Sequence, residues 1–394
     1  MEKWFRMLRN KIKWFIFLLL MLTQAIKAQE STSSQWSING YLTNMQTFMF
    51  QDISKDWMSD NLLHNRLNVK WNSKSDILGI TFELRNRLLS GESIKYIPDY
   101  IKNTTDDKGW LNLSANLATG NSYVLNSKID RAYFDLNLDK FQIRVGRQRI
   151  NWGQCMVWNP NDLFNTYSFF DFDYIEKPGS DAVRLQYYTG TTSSLELAVK
   201  ADYLNRITAA GLYRFAVGSY DLQFLGGLLN EEDVVVGAGW SGNLGNASFT
   251  GECSYFHPKN HFSDSTGVVA ASLGSGYTFS NSLTLQAEVL YNPQKNTTFN
   301  LSDYYNLDLS AKNLSFSDLS VLLQGSYPIT PLFNVSLAGM YFPDIKSYFV
   351  GPTFIYSLSQ NLDFSFLMQS FSGKFSSTVN QNYNFAFLKM KWSF

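Results

Sequence analysis

The side chains with the most chemistry to offer in this chain are its arginines. Ten of the twelve lie between Arg66 and Arg214, and none follows. An arginine stays protonated at any working pH and presents a planar fork of donors suited to carboxylate, sulfate or phosphate. Histidines are scarce: His64, His257 and His261 sit in no recognisable catalytic motif. Acid–base or nucleophilic catalysis needs a base held beside its partner, and no such grouping is legible, so no enzyme is expected. His257 and His261 share a loop without a carboxylate partner, which is poor material for a metal site. Cys155 and Cys253 are the only cysteines, too few for a disulfide framework. Neither cofactor nor metal is expected.

Composition narrows what can position the arginines. The 394 residues include 33 Lys+Arg and 33 Asp+Glu, with 16% aromatic and only 17% charged residues. Without a basic excess, no nucleic-acid partner is expected. Residues 14–22 form the longest apolar run, well short of the roughly 20 residues of a helical span. Lys3, Arg6, Arg9, Lys11 and Lys13 precede it, and Ala25 and Ala28 follow. That order is the order of a secretory signal peptide, cleaved near Ala28. Residues 29–394 then hold 27 basic and 32 acidic side chains, a net charge of −5.

Those residues alternate. In 283–291 the odd positions are apolar or aromatic, while Thr284, Gln286 and Glu288 interleave. Segments 195–201, 319–327 and 333–341 do the same, apart from Leu322. Period-two alternation predicts strands with one apolar and one polar face. Tight connections are expected near 73–76, 138–141, 190–193, 217–220, 242–246, 280–282, 328–331 and 359–361. Longer ones fall mostly between them, at 51–62, 90–127, 150–180, 258–265, 292–313 and 373–381. Short turns at one rim and long loops at the other are the pattern of outer-membrane barrels.

The expected fold is therefore all-β: an antiparallel up-and-down transmembrane barrel of about 18 strands, with 16 as the alternative. The expected layout is a signal peptide at 1–28 and a barrel at 29–394. Aromatic rings near strand ends, among them Trp71, Tyr187, Tyr255, Phe256, Tyr341 and Phe342, suit the two interfacial girdles. The chain ends with Met390, Trp392 and Phe394 on one face of a last strand. These three resemble the C-terminal signal that the barrel-assembly machinery reads. A membrane barrel cannot leave an edge open in hydrocarbon, so this strand should pair with the first, at 36–50.

Alternation also assigns faces. Arg66, Lys70, Glu83, Arg85, Arg87, Arg131, Asp135, Arg144 and Arg184 are expected to line the lumen, with Asp135 opposite Arg144 across a tight turn. Glu83 and Asp135 are the acids expected among these arginines. The far wall should be sparser and more acidic, with Asp221, Glu252, Glu288 and Asp363. Segment 150–180 is unusually aromatic for a solvated loop, holding Trp152, Trp158, Phe164, Phe170 and Tyr174 beside Asp162. It is expected to fold inward and narrow the pore. Asn159 and Pro160 suit the start of a short helix there.

The run Phe141-Gln-Ile-Arg-Val-Gly-Arg-Gln-Arg-Ile-Asn-Trp-Gly153 resembles the strand-and-loop of porin-like outer-membrane proteins of the alginate-export type and related barrels. That resemblance implies an 18-stranded barrel and passive solute passage. The expected function is a porin-like channel for small or anionic solutes. The alternative is a plugged barrel acting as a structural or assembly subunit. Expected partners are outer-membrane lipids, the assembly machinery and the solute; the oligomeric state stays open.

Overall fold

The computed structural model describes residues 35–54, 57–166, 168–260, 262–293, 309–373 and 380–394. The expected signal peptide at 1–28, Tyr167 and His261 lie outside the described residues. The strands are β1 (Trp36–Phe50), β2 (Met58–Asn72), β3 (Leu78–Gly91), β4 (Ser114–Gly120), β5 (Tyr123–Leu138), β6 (Phe141–Gln148) and β7 (Ser180–Tyr188). They continue as β8 (Ser193–Ala201), β9 (Ile207–Val217), β10 (Tyr220–Leu229), β11 (Asp233–Leu244), β12 (Ala247–Pro258) and β13 (Val268–Thr278). The last are β14 (Thr284–Tyr291), β15 (Leu319–Thr330), β16 (Phe333–Phe342), β17 (Ser347–Ser359), β18 (Leu362–Gly373) and β19 (Gln381–Ser393).

Eighteen of these strands, all except β4, form one closed antiparallel barrel. Closure runs through β1 and β19, in register from Tyr41 opposite Ser393 to Phe50 opposite Asn384. Phe394 and Gly40 extend it by exchanging two backbone hydrogen bonds of 2.9 Å. Among the described residues, no helix is long and apolar enough to cross a membrane. Outward positions such as Val145, Val183, Leu197, Val236, Leu273 and Leu337 are exposed and apolar, as a lipid-facing surface requires. All eight expected tight turns fall on the rim that carries the C-terminus. Several of these turns use left-handed residues, including Asp139 (φ 33°), Gly218 (φ 61°) and Gly245 (φ 64°), as tight hairpins with right-handed twist demand.

The opposite rim carries the longer loops. Between β3 and β5 lie two short helices, α1 (Ser93–Tyr96) and α2 (Tyr100–Thr105), followed by β4. β4 pairs with β5 from Ser114–Lys128 to Gly120–Tyr123, beyond the point where β6 leaves that edge. It lengthens one wall without joining the ring.

Two local departures from simple alternation matter for the interior. Glu83 opposes Arg131 while Leu84 opposes Ile129, so Asp130 is an extra residue in β5. Such a bulge re-aims side chains, and both Asp130 and Arg131 are buried inside. The girdle expectation also needs correction. Tyr255 and Tyr341 face outward, but Phe256 and Phe342 are fully buried in the barrel. Successive strand residues point to opposite faces, so only one ring of each pair can reach lipid.

Much of the interior is packed. One apolar cluster joins Met45, Leu290, Leu322, Met340, Phe349 and Phe371 with Val157 and Trp158. Another joins Ala198, Leu212, Leu225, Val235 and Phe256 with Ile150, Trp152, Leu163 and Phe164. Both clusters therefore combine strand residues with residues of the segment that joins β6 to β7.

Candidate functional site

The arginines of β2 to β7 share a network of acids. Arg66, fully buried, pairs with Glu83 and donates to Asp130 at 2.5 Å. Asp130 also lies 3.3 Å from Arg85 Nε. Arg144 donates to Asp135 at 2.5 Å, across the register expected from their turn. Arg184 lies 3.7 Å from Glu196. Arg131 has backbone partners, donating to the carbonyls of Asp130, Glu176 and Lys177 at 2.8, 2.8 and 2.6 Å. Lys70 stands exposed, opposite Thr81 in register. Glu83 and Asp135 are thus not the only acids here: Asp130, Glu176, whose carboxylate lies 3.8 Å from Arg66, and Glu196 join them. Asp130 was hidden by the bulge, and the other two lie in a loop and on a later strand.

Arg87 differs from its neighbours. It donates to the Thr104 carbonyl at 2.6 Å, and among the described residues no carboxylate lies within 4 Å of it. Nearby, Arg147 bridges Asp107 at 2.6 Å and Asp181 at 2.7 Å. Burial works against the Asp107 carboxylate, yet Lys128, Arg147 and the Leu113 amide hold it below the usual carboxylate range.

The β6–β7 connection, residues 149–179, makes two lobes. The Ile150 amide donates to Asn165 Oδ1 at 2.7 Å, and Asn165 Nδ2 donates to the Pro178 carbonyl at 2.9 Å. Those bonds form the neck between the lobes. In the first lobe, Trp152 Nε1 donates to Glu196 at 2.6 Å and lies edge-on to Phe164 at 4.9 Å. Gln223 on β10 donates to the Trp152 carbonyl at 2.8 Å. Backbone amides of residues 154–158 and 161 donate to Glu252 and Glu288.

Asn159 to Asp162 form a turn instead of the expected helix, closed by the Asp162 amide on the Asn159 carbonyl at 3.0 Å. The Asn161 amide is spent on Glu252, and its side chain donates to the Ala238 carbonyl at 3.0 Å. The second lobe is held by side chains. Phe170 packs at 5.1 Å from Phe349 and 5.0 Å from Phe371. Asp173 lies 3.0 Å from Lys389 and 3.4 Å from His64. The Arg85 guanidinium lies 3.8 Å above the Tyr174 ring.

A cavity of about 770 Å³ lies beside these lobes. Its walls carry Arg85, Arg87, Lys128 and Arg147, and also Phe170, Phe172, Phe385 and Phe387. Among the described residues, seven basic and eight acidic side chains line it, which leaves their charges nearly balanced. Arg66, Lys70, Glu83, Arg131, Asp135, Arg144 and Arg184 do not line it. At the barrel seam, the rings of Trp392 and Phe394 lie 5.4 Å apart, and Met390 opposes Asn44.

Alternation sets Glu252 and Glu288 on the wall, but their partners are not legible in it. Their donors are backbone amides, which any residue supplies, so no side-chain pattern announces them.

The barrel resembles Pseudomonas aeruginosa OccK11 (OpdR) with a TM-score of 0.58 at 11% identity, over 91% of this chain and 96% of that one. The fold is that of the outer-membrane porins. Acinetobacter baumannii OccAB1 matches with a TM-score of 0.58 at 9% identity, over 92% and 98% of the two chains. Pseudomonas aeruginosa OprD matches with 0.56 at 10% identity, over 91% and 95%. No protein-family model and no curated protein matches the sequence. At these identities the likeness concerns the fold. The chain shares with these structures a closed antiparallel β-barrel.

Proposed function

We propose that this barrel is a porin-like channel for passive passage of small solutes, narrowed by residues 149–179. The observation that carries this reading is the closed 18-strand barrel with that connection fastened to inward side chains from β8 round to β3. We infer further that anionic groups of a solute are met at the arginine side. Arg87 supports this, as a cation lining the cavity with no carboxylate within 4 Å among the described residues. The near balance of charge in the cavity argues for a modest preference, not an exclusive one.

The narrower likeness to the alginate-export type rests on 141–153 and adds no substrate. The alternative, a plugged barrel serving as an assembly or structural subunit, draws on the two apolar clusters that fill much of the interior. Planar-bilayer recording separates the two readings. Steady openings with a solute-size limit support the channel; a silent, correctly folded barrel supports the plug.

A further inference from the structure

Five successive backbone amides of the first lobe, from Gln154 to Trp158, end on two carboxylates. Glu252 Oε1 accepts from Gln154 and from Cys155, the latter at 2.9 Å, and its Oε2 accepts from Asn161 at 2.9 Å. Glu288 Oε2 accepts from Met156 at 3.1 Å and Val157 at 3.0 Å. Its Oε1 accepts from Trp158 at 2.7 Å and from the Ser272 hydroxyl at 3.0 Å. All four carboxylate oxygens are engaged.

Both glutamates are buried, each 1% exposed. Among the described residues, neither has a Lys, Arg or His within ion-pair distance. Successive backbone N–H groups can hold an anion without a cation, and hydrogen bonds to an ionised acceptor are about twice as strong as neutral ones. A buried carboxylate stripped of those donors would be costly. The lobe and the two glutamates therefore stabilise one another.

We propose that Glu252 and Glu288 are positioning residues that clasp segment 154–161 and thereby set the aperture. The proposal rests on the channel reading. Glutamine is nearly isosteric with glutamate, but one of its two terminal atoms is a donor. At either site it would turn an NH2 group toward amide donors, so E252Q and E288Q each break the clasp with little change in volume.

The test uses Cys155, which is buried inside the clasp with its Sγ 3.9 Å from the Ser272 carbonyl. In a C253S background it is the only thiol of the chain. C253S, C253S/E252Q, C253S/E288Q and the triple variant are reconstituted into vesicles and exposed to a charged, water-soluble maleimide. The same preparations are recorded in planar bilayers. The clasp predicts Cys155 labelling at least about tenfold faster in the triple variant, through local release of the lobe. It also predicts larger unitary conductance with the heat-modifiable folded form retained.

Cys155 equally shielded in folded variants overturns the clasp and leaves the channel reading standing if openings are present. Faster labelling with no openings in any protein, C253S included, upholds the clasp as the lobe's anchor and overturns the channel reading, and with it any role in aperture. Failure of both single variants to assemble would make the pair a folding element, and the proposal that they set the aperture would fall.

Discussion

Asp130 stands between two arginines in the barrel interior, 2.5 Å from Arg66 and 3.3 Å from Arg85. One carboxylate thus ties β2 and β3 to β5. Such a shared partner reduces mutual repulsion between the two guanidinium groups and spares each an unpaired burial.

Changing Asp130 to Asn should destabilise the barrel. Arg66 keeps Glu83, but Arg85 loses the carboxylate nearest to it. Breaking a buried pair by removing one partner costs about 3 kcal/mol or more. Urea titration of D130N in lipid vesicles, followed by tryptophan fluorescence, reads the change directly. A wild-type midpoint would show that the acid contributes nothing.

Arg87 is the arginine with the clearest claim on solute ions. In water-filled space at physiological salt its charge acts over about 8 Å. R87Q should move the reversal potential in a salt gradient towards cations and leave the urea midpoint in place. R144Q, in contrast, should lower the urea midpoint, because it leaves Asp135 without its 2.5 Å partner. Identical reversal potentials for R87Q and wild type would remove Arg87 from the permeation path.

Replacing residues 152–174 by a short Gly/Ser linker should raise conductance and admit larger solutes. The 18-strand ladder does not run through that segment, so the variant should assemble. It should also melt at lower temperature, because Trp152, Trp158 and Phe164 leave both apolar clusters. Conductance equal to wild type in a well-folded variant would place the loop outside the path.

Removing Phe394 should lower the amount of folded protein in the outer membrane. Its backbone completes the seam at Gly40, and its ring lies over that glycine. A Cβ at Gly40 would meet the Arg66 carbonyl oxygen at 2.1 Å and the Phe394 ring at 2.9 Å. G40V should therefore impair closure too. Normal abundance and heat-modifiable migration of both variants would separate the terminal phenylalanine from assembly.

Strand periodicity, turn spacing and the terminal aromatic strand were enough, in the sequence alone, to determine a barrel of about 18 strands and to set Asp135 against Arg144. These are local properties: alternation acts over two residues, and a tight turn fixes the register of its own hairpin. Asp130 escaped that reading because a single inserted residue inverts the parity of everything counted past it. Phe256 and Phe342 escaped because composition near a strand end does not say which of two adjacent rings faces in. The contacts of residues 149–179 were decided by tertiary structure alone. Trp152 finds Glu196, Asp173 finds Lys389, and the amides of 154–158 find Glu252 and Glu288 across separations of 44 to 216 residues. Backbone donors are the same for every residue type. Only closing the barrel brings those carboxylates to the amides of residues 154–161.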